Sequence, residues 1–463
     1  MTAAVPIRFM ARPRKTRLAR IGDALRRHRR WVMGIQWFVV AFYAALVVVP
    51  VFLPLPPSGA SIVSNLTLAA QFAFWGLWWP GVILSTVLFG RVWCGVFCPE
   101  GAVTEFASRH GLGLTIPRWV RWSGWPVVAF VCTTVYGQMV SVYQYAAPAL
   151  LILGGSTVLA AGVGFVWGRE KRVWCRYLCP VSGVFALLAK IAPFHYRVDE
   201  AAWKAYPGRP PRVDCAPLVD LRHMTGASDC HACGRCSGHR DAIEFAARSP
   251  SQEVLAAVPS RRDSALALLL VFGTLGVAVG AFQWSVSPWF TAARQAAATW
   301  LIEHDAFLLL QDNAPWWLLT HYPEVNDAFT WLDGLLVCGY IGVYAVVTGV
   351  LGWAALRAAA RLAGGIDWAA LAMALVPIAG AGLFLGLSMT TLTQLRAEGW
   401  VPPGVSTARA LLLAGAALWS LWLGWKLVAR GGAGGANRLA ATALYAVPLV
   451  QAVASWTMIF WGW

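Results

Sequence analysis

Apolar runs close to 20 residues recur along the whole chain, and no other feature restricts its fold so tightly. A helix of that length crosses the hydrocarbon core of a bilayer. Only helices and closed barrels can do so, because backbone polar groups find no water there. Nine runs fall at about 32–55, 62–89, 125–146, 148–167, 264–284, 332–356, 367–390, 406–428 and 439–461. Composition agrees. Of 463 residues 58% are hydrophobic and 13% charged, against about 25% charged in a typical soluble domain. The 27 Trp fit residues that gather at lipid–water interfaces. The expected fold is an all-α polytopic membrane protein of about nine transmembrane helices.

The net charge of +16 would suggest nucleic acid as a partner for a soluble protein. Its distribution gives a different reading, with membrane lipid as the partner and no nucleic acid. Residues 1–30 hold ten Arg or Lys, among them Arg12, Arg14, Lys15, Arg26, Arg27, Arg29 and Arg30, directly before the first run. With the N-terminus inside, the segments 90–124, 168–263, 357–366 and 429–438 are inside too and hold nearly all loop Arg and Lys. The outside segments hold only Arg294 and Arg396. The positive-inside rule therefore predicts a bacterial inner-membrane protein with a cytoplasmic N-terminus.

Four parts follow: a basic segment 1–31, a membrane domain 32–194, a cytoplasmic insert 195–263 and a C-terminal membrane domain 264–463 with an outside loop 285–331. Within that loop Ala292 to Leu310 reads as an amphipathic surface helix. The first membrane domain contains a repeat. Arg91-Val92-Trp93-Cys94-Gly95-Val96-Phe97-Cys98-Pro99 returns 81 residues later as Arg172-Val173-Trp174-Cys175-Arg176-Tyr177-Leu178-Cys179-Pro180.

Eight of ten cysteines fall in inside segments: Cys94, Cys98, Cys175, Cys179, Cys215, Cys230, Cys233 and Cys236. A reducing compartment disfavours disulfides, and clustered cysteines there read as metal ligands. Cys230, Cys233 and Cys236 form C-x2-C-x2-C, the opening of the bacterial ferredoxin signature. The fourth Cys of that signature would fall at Arg240, and Asp241 stands in place of its Pro. The expectation is two [4Fe–4S] clusters. In one partition the four C-x3-C-P cysteines bind one cluster, and Cys215 completes the second set. In the other, Cys98 or Cys179 completes the C-x2-C-x2-C set. Zinc is the rival metal. Cys132 and Cys338 lie inside spans and read as packing residues.

At these motifs the chain resembles the membrane-bound polyferredoxins of the NapH/NosR/CcoG type over roughly 62–245. The resemblance implies electron transfer at the cytoplasmic membrane, with the eight cysteines as cluster ligands and quinone as a further cofactor. The long C-terminal membrane half resembles FtrD-like members of ferrous-iron uptake systems. That implies a periplasmic redox partner, cupredoxin-like or a reductase, and an iron permease. Quinol dehydrogenase-type activity would make the chain an enzyme, but no catalytic residue is assigned.

No His lies within a run, which disfavours bis-His haem. His231 and His239 read as solvated loop residues, and His304, Asp305, His321 and Glu324 as ordinary loop polarity. Glu105 is a candidate for quinol or proton chemistry. The expected function is a relay of electrons from the cytoplasm or the quinol pool to a periplasmic partner. The rivals are an assembly factor for a metalloenzyme and an iron-sensing transporter subunit.

Overall fold

A computed structural model describes residues 16–57, 59–256 and 261–463. Arg12, Arg14 and Lys15 of the basic segment lie outside the described residues, as do positions 257–260 of the insert. The fold is all-α and polytopic. The helices used below are α1 (Arg17–Arg27), α2 (Arg29–Phe52), α3 (Leu66–Phe89), α4 (Pro99–Arg109), α5 (Trp125–Met139), α6 (Ala146–Trp167), α7 (Val173–Tyr177) and α8 (Ser182–Ala189). They continue as α9 (Asp263–Val286), α10 (Pro288–Glu303), α11 (Trp331–Leu362), α12 (Val376–Ala397), α13 (Val405–Arg430) and α14 (Gly435–Gly462). Eight of these, α2, α3, α6, α9, α11, α12, α13 and α14, are long and apolar enough to cross a membrane.

The ninth expected span differs. The run 125–146 is helical only to Met139, because Ser141 turns the backbone left-handed at φ 49°. Thr320 then clamps the turn, its N–H on the Met139 carbonyl at 2.9 Å and its hydroxyl 2.7 Å from that of Ser141. The 15 residues of α5 rise about 22 Å at 1.5 Å each. Even so, α5 runs beside α9 from one end to the other. Pro126 lies near Leu269 at Gly183, and the Trp284 indole donates to Gln138 at 2.9 Å. At this length α5 is not among the helices long enough to cross, so eight candidate spans stand where nine were expected. The run 367–390 is also broken. A short helix Trp368–Met373 precedes α12, whose first turn holds Pro377, a residue that cannot continue a preceding helix.

α9 is the central helix, with 78% of its most apolar window buried. The outer helices turn Phe38, Val158 and Leu411 outward, each about 70% exposed, as a lipid-facing surface requires. Among the described residues the insert contains one antiparallel ribbon of β1 (Phe194–Val198) and β2 (Ile243–Ala247), with Tyr196 opposite Phe245. Tyr196, Met224, Ile243 and Phe245 form its small core. α1 lies on it, where a Cβ at Gly22 would stand 2.9 Å from Ser237 and 3.0 Å from Phe245. The expected surface helix of the 285–331 loop is α10, followed by a single turn at Phe307–Leu310.

The two repeat copies are pressed together through α4 and α6. A Cβ on Gly164 would stand 2.4 Å from the Thr104 carbonyl oxygen, so no larger residue fits without parting the helices. Gly164→Leu should therefore destabilise the membrane domain by about 1–3 kcal/mol, read as a lower melting temperature in detergent. An unchanged melt would show that α4 and α6 do not meet there.

Candidate iron–sulfur centre

Each repeat copy delivers its cysteines where a span ends and a short helix begins. In the first copy α3 stops at Phe89 and Gly90 turns the chain at φ 67°. A wide turn over Trp93–Phe97 follows, and Cys98 caps α4, its sulfur accepting from the Gly101 N–H at 3.4 Å. Pro99 fits the first helical position because no N–H is needed there. The second copy places Cys175 in α7 and Cys179 just before α8. Cys94, Cys98, Cys175 and Cys179 all line one cavity of about 260 Å³. Three of them are buried and Cys98 is half-buried.

The copies brace one another crosswise. Arg172 donates to the Cys94 carbonyl at 2.6 Å. Its counterpart Arg91 donates to Ser182 at 2.9 Å, and the Ser182 hydroxyl donates to the Cys175 carbonyl at 2.7 Å. Gly101 occupies the first-copy position equivalent to Ser182. A Cβ there would already sit 3.1 Å from the Arg172 guanidinium, so the missing side chain lets Arg172 reach Cys94 directly. Glu100 follows the first Cys-Pro pair and also lines the cavity. It accepts from Trp174 at 2.8 Å and Ser156 at 2.6 Å, and burial raises its pKa.

Glu105 sits one turn further along α4. It meets Arg172 and Arg109 at 2.9 Å each, Arg29 at 3.7 Å, and Arg235. Burial alone would raise its pKa. The guanidinium groups of Arg172 and Arg235 outweigh burial and hold it at about 2. This corrects the expectation of quinol or proton chemistry at Glu105: a carboxylate so strongly held does not exchange protons near neutral pH.

The other four cysteines meet in the insert. Cys215, Cys230, Cys233 and Cys236 line a second, smaller cavity of about 20 Å³ together with Tyr196, Met224 and His231. The C-x2-C-x2-C loop curls tightly, with Ala232 and Gly234 both left-handed. The Ala216 carbonyl accepts from the Arg172 N–H at 2.7 Å, which ties the Cys215 strand to the second repeat copy. The first repeat motif and the C-x2-C-x2-C loop meet at Gly95. A Cβ there would stand 2.0 Å from the His231 carbonyl oxygen and 2.9 Å from the Cys233 nitrogen. The second copy carries Arg176 at that position, paired with Asp229 at 3.2 Å.

Burial raises the thiol pKa values of Cys98, Cys179, Cys215 and Cys236, and raises those of Cys175 and Cys230 to about 12. Thiols this buried become thiolates only when a cation meets them. The donor set thus fits a group carrying its own positive charge, as the irons of a cluster do. Among the described residues no three His, Cys, Asp or Glu side chains converge closely enough for a single metal ion. Thiolates round a four-iron cube stand further apart than those round one ion.

Three expectations need correction. His231 and His239 are 1% and 8% exposed, not solvated, because the loop folds back beneath α1 and against Gly95. Cys132 is exposed on α5 rather than packed. Cys338 is half-buried, with its sulfur 3.4 Å from that of Met139. In the 285–331 loop His304 stacks on Trp300 at 4.3 Å, and Tyr322 stacks on Tyr145 at 3.5 Å. Glu100 was missed by sequence reasoning, although its place directly after Cys98-Pro99 was a usable signal.

The 4Fe-4S binding domain matches residues 71–122 and 148–198, one stretch over each repeat copy. The regulatory protein NosR of Pseudomonas aeruginosa is 26% identical over 182 residues, 34% of this chain and 25% of NosR. Over these stretches the chain is similar to ferredoxin-type and electron-transport proteins. The putative electron transport protein YccM of Escherichia coli is 21% identical over 230 residues, 44% of this chain and 64% of YccM. The methylamine utilization ferredoxin-type protein MauN of Methylorubrum extorquens is 31% identical over 121 residues, 24% of this chain and 42% of MauN. The matched part thus spans less than two thirds of each of these relatives. No solved structure matches the chain. The domain match supports an iron–sulfur cofactor.

Two substitutions test the geometry. Glu105→Gln should cost about 3 kcal/mol at neutral pH, from a folded pKa of about 2 against the ordinary 4.5. A depressed carboxylate stabilises above its unfolded pKa, so the gap to the parent should shrink as pH falls from 4.5 toward 2. A gap independent of pH would refute the charge network. Gly95→Ala should lever the insert off the membrane domain. Faster proteolysis within 195–256, with the spans still folded, is the expected result, and unchanged protection would count against the contact.

Proposed function

We propose that the chain is a membrane-bound electron relay holding two [4Fe–4S] clusters. Cys94, Cys98, Cys175 and Cys179 would ligate one. Cys215, Cys230, Cys233 and Cys236 would ligate the other. The observation that carries this reading is the sorting of eight cysteines into two sets of four, in two cavities whose motifs meet at Gly95. The swapped partition would need Cys98 or Cys179 in the insert cavity, and neither lines it. The clusters would supply one-electron carriage, which no side chain here offers.

The residues of the chain do the rest. Arg172 and Arg91 hold the backbone of the two repeat motifs in register. His231, buried with its Nδ1 unpaired, stands in the second cavity where a donor to cluster sulfur would raise the potential. Beyond Glu100 the larger cavity continues between Trp75, Tyr143, Phe282 and Gln138 toward the far end of α5. An apolar, aromatic space with few polar groups suits the ring of a quinone, and we place quinone there. Widened helical turns at Phe72–Trp78, Leu150–Gly154 and Leu269–Ala278 border this space, and such turns often mark functional sites.

We read the direction as cytoplasm or quinol pool to a periplasmic redox partner, with the N-terminus in the cytoplasm of a bacterium. The basic loops on the cysteine side support that orientation. Support of ferrous-iron uptake beside an iron permease is the context suggested by the long C-terminal membrane half. Deleting the gene should then slow ferrous-iron uptake, and unaltered uptake would remove that context.

Anaerobic purification with iron and sulfide analysis, and EPR after dithionite reduction, tests the centre. About eight iron per chain is expected for two cubes. Cys94→Ser and Cys233→Ser should each remove about half of the iron and a different part of the signal. Zinc in place of iron, or both variants losing the same signal, would overturn the reading.

A further inference from the structure

The basic residues at the start of α2 gather round an open basin of about 760 Å³ beside the cysteine-bearing end of the bundle. Arg27, Arg29, Arg30 and Arg109 line it, with Trp31, and Glu170 is the one carboxylate among the described lining residues. Glu105 does not balance this charge. It reaches Arg29 and Arg109 from behind, but it also faces Arg172 and Arg235. Even with Glu105 and Glu170 both counted wholly against the basin, its four guanidinium groups leave two positive charges over. Arg27 and Arg30 among them are exposed.

Below the basin the chemistry changes at once. Trp31 is 76% exposed, and Ile35 and Phe38 follow it on α2 at 42% and 70%. Positions 31, 35 and 38 share one helix face. An arginine basin therefore tops a continuous apolar stripe, with an indole at the boundary where Trp commonly marks the lipid–water interface. A free anion would use the arginines and leave the stripe idle. An acidic protein would meet a stripe that runs down into the hydrocarbon. An amphiphile with an anionic head uses both parts.

We propose that this basin binds the headgroup of an anionic phospholipid, with an acyl chain along Trp31, Ile35 and Phe38. Guanidinium forks suit phosphate oxygens, which they bind in pairs. A zwitterionic lipid would bring an ammonium group into the same positive field. The site is linked to the centre through shared residues: Arg29 and Arg109 touch both the basin and Glu105, and Arg172 joins Glu105 to the Cys94 carbonyl. This inference needs only the membrane fold and does not depend on what the cysteines bind.

Native mass spectrometry of the full chain, released from detergent with phosphatidylglycerol, phosphatidylcholine or inorganic phosphate added, tests it. The parent should retain phosphatidylglycerol in preference to phosphatidylcholine. Arg27→Gln with Arg30→Gln should weaken that retention roughly thirtyfold, and Arg27→Gln alone about fivefold. Both residues are exposed, so the melting temperature should not move. Arg357→Gln with Arg361→Gln removes the same charge at the inner end of α11 and should change retention little. Equal loss in this control would show diffuse attraction and overturn the site. So would equal retention of phosphatidylcholine, or competition by inorganic phosphate at millimolar concentration, which would point to a free anion.

Discussion

Four guanidinium groups converge on the single carboxylate of Glu105, and each arrives from a different part of the chain. Arg29 opens the first span, Arg109 ends α4, Arg172 begins the second repeat motif and Arg235 lies inside the C-x2-C-x2-C loop. Removing Glu105 would leave Arg172 and Arg235 charged in a place of low polarity, which is far more costly than breaking a surface pair. The arrangement thus fixes the first span, both repeat copies and the insert relative to one another. It does so at the level where the spans end, and the cysteines need their backbone held there.

From this node the centre is built by ordinary means. Short helices that start after Cys-Pro position one set of sulfurs, and a loop with two left-handed residues positions the other. The crosswise bonds from Arg172 and Arg91 replace what a larger soluble core would supply. The insert itself has a modest apolar core, so its placement depends on α1, Gly95 and Arg235 rather than on its own packing.

Much of this was legible in the chain itself. The spans are written in apolar runs, and the eight clustered cysteines in their spacing. The early end of α5 was not legible. The residues after Met139 read as a continuation, but the chain turns at Ser141, and Thr320, 181 residues from Met139, clamps that turn. The solvation of His231 was misread for the same reason, since a polar loop looks exposed until something covers it. Which cavity each cysteine lines was also out of reach. It depends on where the insert folds, and that is set by Glu105 and Arg235, whose 130-residue separation carries no local pattern.

The repeat ends in an inequality. Where the second copy has Arg176, the first has Gly95, and the insert backbone occupies the room that a side chain would take. The first copy has thus given up a side chain in favour of a neighbour, while the second keeps a charged arm. A duplicated pair of this kind is no longer exchangeable. Grafting the second motif onto the first would put a side chain where the His231 carbonyl and the Cys233 backbone now lie, even though every cysteine stayed in place. Which copy lets the insert backbone come into direct contact, and which meets it through a charged arm, is recorded in one missing side chain.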